Sequence, residues 1–237
     1  MVAENIKNVK IRIENACKRC GRIPDDIQIV AVSKMIPVGP MLEALEAGQA
    51  DFGENYVQEL QEKQKALAGR PIRWHMTGHL QSNKVKYIAD YIHLIHSVDS
   101  VDLGKEIDKR SERAGKIQDI LVEVHTTDEA TKYGVKPEDT TALARQLAAF
   151  PHLRVCGLMT MGPFSDNPND SRPSFRQIAE LRRRIESEEI DNVRMRHLSM
   201  GMTHDFEVAV EEGATLVRIG TAIFGARNTG TNGKERS

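Results

Sequence analysis

The chain has 237 residues, with 33 basic and 34 acidic side chains, for a formal net charge of −1. That balance leaves no basic surplus to follow a phosphate backbone, and aromatics at 5% offer bases little to stack on, which argues against a nucleic-acid binder. No apolar run approaches the roughly 20 residues of a membrane span, and the charged N-terminus lacks the apolar core of a signal peptide, so a cytoplasmic protein is expected.

Residues 3–20 place Ile6, Val9, Ile13, Ala16 and Cys20 three or four apart, which predicts an amphipathic helix. Cys17 and Cys20 form a C-x-x-C inside it. With Cys156 the only other cysteine, a packing role is expected rather than a disulfide framework, zinc or redox chemistry. Next comes a β-rich run, Ile27–Lys34, then helix Met41–Gly48, strand Asp51–Asn55 and helix Tyr56–Leu67, in which Lys63 and Lys65 read as surface lysines. The alternation continues with strand Ile72–Thr77, helix Asn83–Tyr91, strand His93–Val98, helix Val101–Ala114 and strand Ile117–His125. Helix Pro137–Phe150 opens on a proline, whose missing N–H costs nothing at a helix start. Strand Leu153–Thr160, helix Ser174–Glu189, strand Arg194–Met200, helix His204–Glu212 and strand Thr215–Gly220 complete the order.

Eight strands start about 27 residues apart between Ile27 and Thr215. That period predicts an α/β fold, a single (β/α)8 TIM barrel with an extra N-terminal helix, and a doubly wound open sheet is the alternative. One domain is expected over residues 1–226, with a polar, glycine-rich flexible tail at 227–237. The longest loop, 162–173, follows the sixth strand and reads equally as a lid or a tolerated insertion.

Barrel active sites lie at the C-terminal ends of the strands. Side chains alternate, so Val30, Val32 and Lys34 share a face and Lys34 should end the first strand pointing into the mouth. Desolvation there lowers an amine's pKa and suits it to bond a carbonyl; the bland reading is a lysine that keeps its head in water. The last two strands end in Ser199, Gly201 and Thr203, the last at an expected helix cap, and in Gly220 and Thr221. Loops after strands seven and eight commonly hold phosphate in barrels. Parity turns Leu216, Arg218 and Gly220 inward. Arg218 then meets a phosphate, a ring nitrogen, or Glu123 in a structural ion pair. Together these features fit a phosphorylated aldehyde, pyridoxal 5′-phosphate (PLP).

The strings AVSK (31–34), FGENYVQE (52–59), WHMTGHLQSNK (74–84), GLMTMGP (157–163), LSMGM (198–202) and VRIGTAIFGAR (217–227) resemble the pyridoxal phosphate homeostasis protein family from about residue 15 to 227. The resemblance implies a fold-type III PLP-binding barrel related to the N-terminal domain of alanine racemase, with PLP held as an internal aldimine on Lys34. It implies a phosphate cup at Ser199, Gly201, Gly220 and Thr221, with Thr203 where a serine is common. It also places Arg218 beside the cofactor and Asn55 near its ring. Glu123 and His125 stand where Gln and Asn are usual, and Lys132 matches a family lysine in a loop after the fifth strand.

Three functions compete. A carrier would store PLP and supply it to apo-enzymes, acting as a monomer or a weak dimer. A racemase would need a second base opposite Lys34, yet no β-rich domain follows the eighth strand, and none of Tyr56, Tyr87, Tyr91 or Tyr133 ends a strand. A metal-dependent hydrolase would use His75, His79, His96, His125 or His197, but no H-x-H or H-E-x-x-H spacing occurs. The carrier reading is preferred, with no metal and no catalytic residue expected.

Overall fold

The computed structural model describes residues 1–127 and 133–226; Lys132 and the tail at 227–237 lie outside them. The strands are β1 (Gln28–Val32), β2 (Asp51–Glu54), β3 (Arg73–Met76), β4 (Ile92–Val98), β5 (Gln118–Glu123), β6 (Leu153–Met159), β7 (Val193–Met202) and β8 (Leu216–Ile219). They close in chain order into a parallel barrel, with Val30 of β1 registered on Arg218 of β8. The helices are α1 (Val2–Cys20), α2 (Val38–Glu46), α3 (Val57–Ala66), α4 (Val101–Arg113), α5 (Thr140–Ala148), α6 (Arg172–Glu186), α7 (Phe206–Glu211) and α8 (Thr221–Phe224). No helix among the described residues is long and apolar enough to cross a membrane.

Strand parity divides the apolar residues into two bodies. Val30, Leu94, Leu121, Cys156, Met159 and Leu216 form a small cluster within the barrel. The outward residues join the helices in the main core, where Phe52, Phe175 and Phe206 are fully buried. Helix α1 lays its buried stripe of Ile6, Val9 and Ile13 over the closure and anchors to α8 through Asn5 Nδ2, which donates to Ile223 O at 2.8 Å. Cys17 is buried in that stripe, and the Cys20 thiol donates to Ala16 O.

Helix α2 spans Val38–Glu46 rather than Met41–Gly48, α5 begins at Thr140 rather than on Pro137, and three further differences from the sequence reading bear on the site. Lys34 does not end a strand: β1 stops at Val32, the Ile36 N–H turns back onto Ser33 O, and Met35 takes a left-handed φ of 61°. The segment predicted as helix Asn83–Tyr91 is a 3-10 helix at Ser82–Tyr87, a tighter winding that gains more length per residue over a short crossover. Helix α7 begins at Phe206, so Thr203 does not cap it; Asp205 precedes it and accepts the Met202 N–H at 2.7 Å. The 162–173 loop carries a 3-10 turn at Pro168–Ser171, and Ser171 Oγ ties it to Asp205 Oδ2 at 2.7 Å.

Candidate functional site

A cavity of about 250 Å³ opens among the C-terminal ends of the strands. It gathers Lys34, Asn55, Thr203, Arg218, Gly220 and Thr221, six of the eight residues singled out from the sequence. Val32, Thr77, Met161, Met202 and His204 complete the wall, and among the described residues no acidic side chain lines it. Two cations and several hydroxyls around one cavity suit a small, strongly anionic ligand.

Lys34 is half-buried on its turn, and a second lysine fixes the backbone behind it. Lys63 reads as a surface residue in the sequence, but it is only 6% exposed. Its three ammonium donors go to Ser33 O, to Glu54 Oε1 at 2.7 Å and to Glu59 Oε1 at 2.6 Å. Ser33 Oγ donates to the same Glu54 oxygen, and the Met35 N–H donates to Glu59. The residues on both sides of Lys34 are therefore clamped. Burial pushes the Glu54 carboxyl up, against the opposing pull of Lys63, and its Oε2 has no hydrogen-bond partner among the described residues.

Arg218 enters from β8 and is 5% exposed. Its Nη1 donates to Ser199 O and Ser199 Oγ, both at 2.7 Å, and its Nη2 to Thr160 O at 2.9 Å. Burial lowers its pKa to about 10, opposed by Asp205 and Glu123, so it remains a cation at neutral pH. It forms no ion pair with Glu123. That carboxyl is also buried and is pushed up to about 7, mainly by desolvation and further by Asp99. Glu123 Oε2 has no hydrogen-bond partner among the described residues.

The remaining residues divide by position. Gly220 and Thr221 open α8 against the cavity, and Thr203 Oγ1 accepts the Ala222 N–H at 3.4 Å. Asn55 Oδ1 accepts from Thr77 Oγ1 at 3.0 Å. Ser199 and Gly201 do not reach the cavity. Ser199 is fully buried behind Arg218. Gly201 has a φ of 88°, and a Cβ there would lie 2.5 Å from Ala209 Cβ, so its glycine serves the seating of α7.

Tyr56 and Tyr133 line a neighbouring cavity that shares Asn55 with the first, and Tyr133 stacks on His79 at 3.8 Å. Tyr87 and Tyr91 line neither cavity. His75 and His96 bind each other inside the barrel at 2.9 Å. No three His, Cys, Asp or Glu side chains among the described residues converge as a metal site. Sequence reasoning missed Thr77, Met161, Met202 and His204. Thr77, Met161 and Met202 carried a signal, since each stands at or just past the end of a strand within a motif already noted.

Comparison with known proteins bears on this geometry. The family described as "Alanine racemase, N-terminal domain" matches residues 5–228. The Pyridoxal phosphate homeostasis protein of Aquifex aeolicus is 45% identical over 94% of this chain and 97% of its own length. PipY of Synechococcus elongatus PCC7942, solved with PLP bound, superposes with a TM-score of 0.83 at 31% identity, covering 95% of this chain and 100% of that one. An alanine racemase of Clostridium difficile 630 shares the fold at 13% identity and a TM-score of 0.74, over 97% of this chain and 57% of its own. A closed parallel barrel with Lys34 and Arg218 in one mouth, matched over nearly its whole length, places the chain in the pyridoxal phosphate homeostasis protein family.

Proposed function

We propose that this chain binds PLP in the Lys34 cavity and serves as a carrier for apo-enzymes. The observation that carries the reading is the convergence of Lys34 and Arg218 in a cavity with threonine hydroxyls and, among the described residues, no carboxylate. When bound, PLP supplies an aldehyde able to bond an amine reversibly. Lys34 is the amine that holds it, and the clamped backbone on either side keeps that amine at the mouth. Thr203, Gly220 and Thr221 would hold the phosphate and Arg218 the ring nitrogen, with Asn55 and Thr77 as the side wall. Ser199 contributes through Arg218 rather than by direct contact. Met202 is 42% exposed and Thr221 is exposed, so the cavity faces solvent, as release to another protein requires. We place the whole activity in one domain, residues 1–226, in the cytoplasm, acting as a monomer or a weak dimer.

Borohydride reduction of the PLP-treated protein, followed by peptide mass analysis, is expected to find the added mass on the Lys34 peptide and to lose it in Lys34→Ala. A label spread over exposed lysines such as Lys65 overturns the assignment. Pyridoxal without its phosphate should bind more weakly by orders of magnitude, because a hydrogen bond to a charged group contributes about 1.5–3 kcal/mol and several would be lost. The loaded protein should restore an apo-enzyme's activity. With L-amino acids in deuterated water it should exchange the α-proton slowly, since no tyrosine lines the cavity. Racemisation at about 1–10³ s⁻¹ overturns the carrier reading.

A further inference from the structure

A chain of polar side chains runs through the barrel from its floor, the N-terminal ends of the strands, up to Arg218. At the floor, Asp51 of β2 takes Arg73 through Nε at 2.7 Å and Nη2 at 2.5 Å, and its Oδ1 also meets His75 Nε2 at 3.0 Å. His75 Nδ1 meets His96 Nε2 at 2.9 Å, His96 Nδ1 meets Ser199 Oγ at 2.9 Å, and Ser199 Oγ meets Arg218 Nη1 at 2.7 Å. Asp51, His75, His96 and Ser199 are at most 5% exposed. An apolar layer would fill the same space without the cost of desolvating four polar groups, so the chain calls for a reason beyond packing.

Its two ends fix its direction. His75 and Arg73 hold the Asp51 carboxyl well below the usual carboxylate range despite its burial, so at neutral pH it only accepts. His75 Nε2 therefore carries a proton and donates to it. Burial, with the Arg218 cation nearby, holds the His96 pKa well below its ordinary value, so this ring is neutral with a single N–H. In the proposed chain His75 carries its one N–H on Nε2, so the His96 N–H sits on Nε2 and donates to His75 Nδ1, which leaves His96 Nδ1 to accept the Ser199 hydroxyl proton. At the other end Arg218 can only donate. The Ser199 hydroxyl hydrogen thus points down the barrel, and its lone pair faces the guanidinium. Three of the five N–H donors of Arg218 are spent on Ser199 and Thr160, and the other two are left for an acceptor in the cavity.

We propose that Asp51, His75 and His96 are positioning residues for Arg218, forming a one-way hydrogen-bond chain that locks the Ser199 hydroxyl as an acceptor and so aims the guanidinium at the ligand in the Lys34 cavity. This rests on the PLP reading for the identity of that ligand, but not for the direction of the chain. The first measurement is nitrogen-15 NMR of the unliganded protein with labelled histidine and arginine. Both His75 and His96 should show the Nε2–H tautomer, and the Arg218 Nε–H signal should be sharp. An Nδ1–H tautomer on His96 overturns the proposal. The second is PLP titration of two substitutions. His96→Leu cuts the chain, and should bind about tenfold to hundredfold more weakly and broaden the Arg218 signal. His96→Gln keeps an amide donor for His75 and a carbonyl acceptor for Ser199, and should stay within about threefold of the unsubstituted protein. A folded His96→Leu variant with unchanged affinity and an unchanged Arg218 signal overturns the proposal. Absence of any reducible adduct in the unsubstituted protein overturns the PLP reading instead, while the tautomers and the Arg218 signal still sustain or overturn the chain.

Discussion

Lys34, on the turn after β1, and Arg218, on the adjoining β8, reach one cavity, and the groups behind them differ in kind. Behind Lys34, outside the barrel wall, lies an ionic cluster of Lys63, Glu54 and Glu59, and its bonds hold the backbone on both sides of the lysine. Behind Arg218, inside the wall, His75, His96 and Ser199 end on the side chain itself. The contrast follows from what each cation does in the proposed carrier. A lysine that forms and breaks a bond needs a fixed root. An arginine that only orients a ligand gains from a fixed arm.

Lys63→Met tests the outer cluster most severely. It removes three hydrogen bonds and leaves Glu54 and Glu59 without their cation, and breaking a buried pair costs about 3–5 kcal/mol. Urea denaturation should show that loss, and adding Glu54→Leu should recover part of it. A loss below about 1 kcal/mol would mean that solvent already screens the cluster and that the contrast with the inner chain is false.

Glu123→Gln comes next, and its effect depends on pH. The folded-state pKa of about 7 stands above the ordinary 4.5. Below pH 4.5 both states carry the proton and nothing is lost. As pH rises from 4.5 to 7 the unfolded chain ionises while the folded chain resists, so stability falls, and above 7 the penalty is complete. At about 1.4 kcal/mol per pKa unit, the glutamine variant should gain up to about 3 kcal/mol near pH 8 and almost nothing near pH 4. An equal gain at both pH values would show that Glu123 does not titrate as its burial requires.

Ser199→Ala should cost less, about 1–2 kcal/mol. It orphans His96 Nδ1 and one Arg218 hydrogen, but Ser199 O still accepts from the same guanidinium. Thermal unfolding of this variant beside Ser199→Thr, which keeps the hydroxyl, would sharpen the estimate. The smallest effect belongs to Arg145→Ala. This arginine pairs with Glu188 at the surface with its side chain 56% exposed, and its loss should fall under about 0.5 kcal/mol in the same experiment.

How much of this the sequence reveals depends on the distance between interacting residues. Strand period and parity are local, and they bring Lys34, Arg218, Gly220 and Thr221 to one mouth. The cross-barrel partners are not local. His75 and His96 read as unremarkable histidines near strand ends, and Asp51 gives no signal, because their pairing depends on register across β2, β3, β4 and β7. Lys63 was missed for another reason. It falls on the stripe of Val57, Leu60 and Leu67, where a buried lysine is legible only if its spacing outweighs its charge. The resemblance is what assigns Ser199 and Gly201 to the phosphate cup, and small residues after the seventh strand suit a cup and a helix seat equally well.

Closure of the ring also shapes how the protein is made. The first strand pairs with the last, and α1 rests on α7 and α8, so Asn5 waits 218 positions for the carbonyl that anchors it. Loops that long are slow to close, because chain entropy is lost before the contact that repays it forms. The opening helix and strand therefore leave the ribosome without their partners and complete their packing only after residue 224 has emerged. Lys34 and Arg218 stand on either side of that same seam, so cofactor capture becomes a report that the seam has shut.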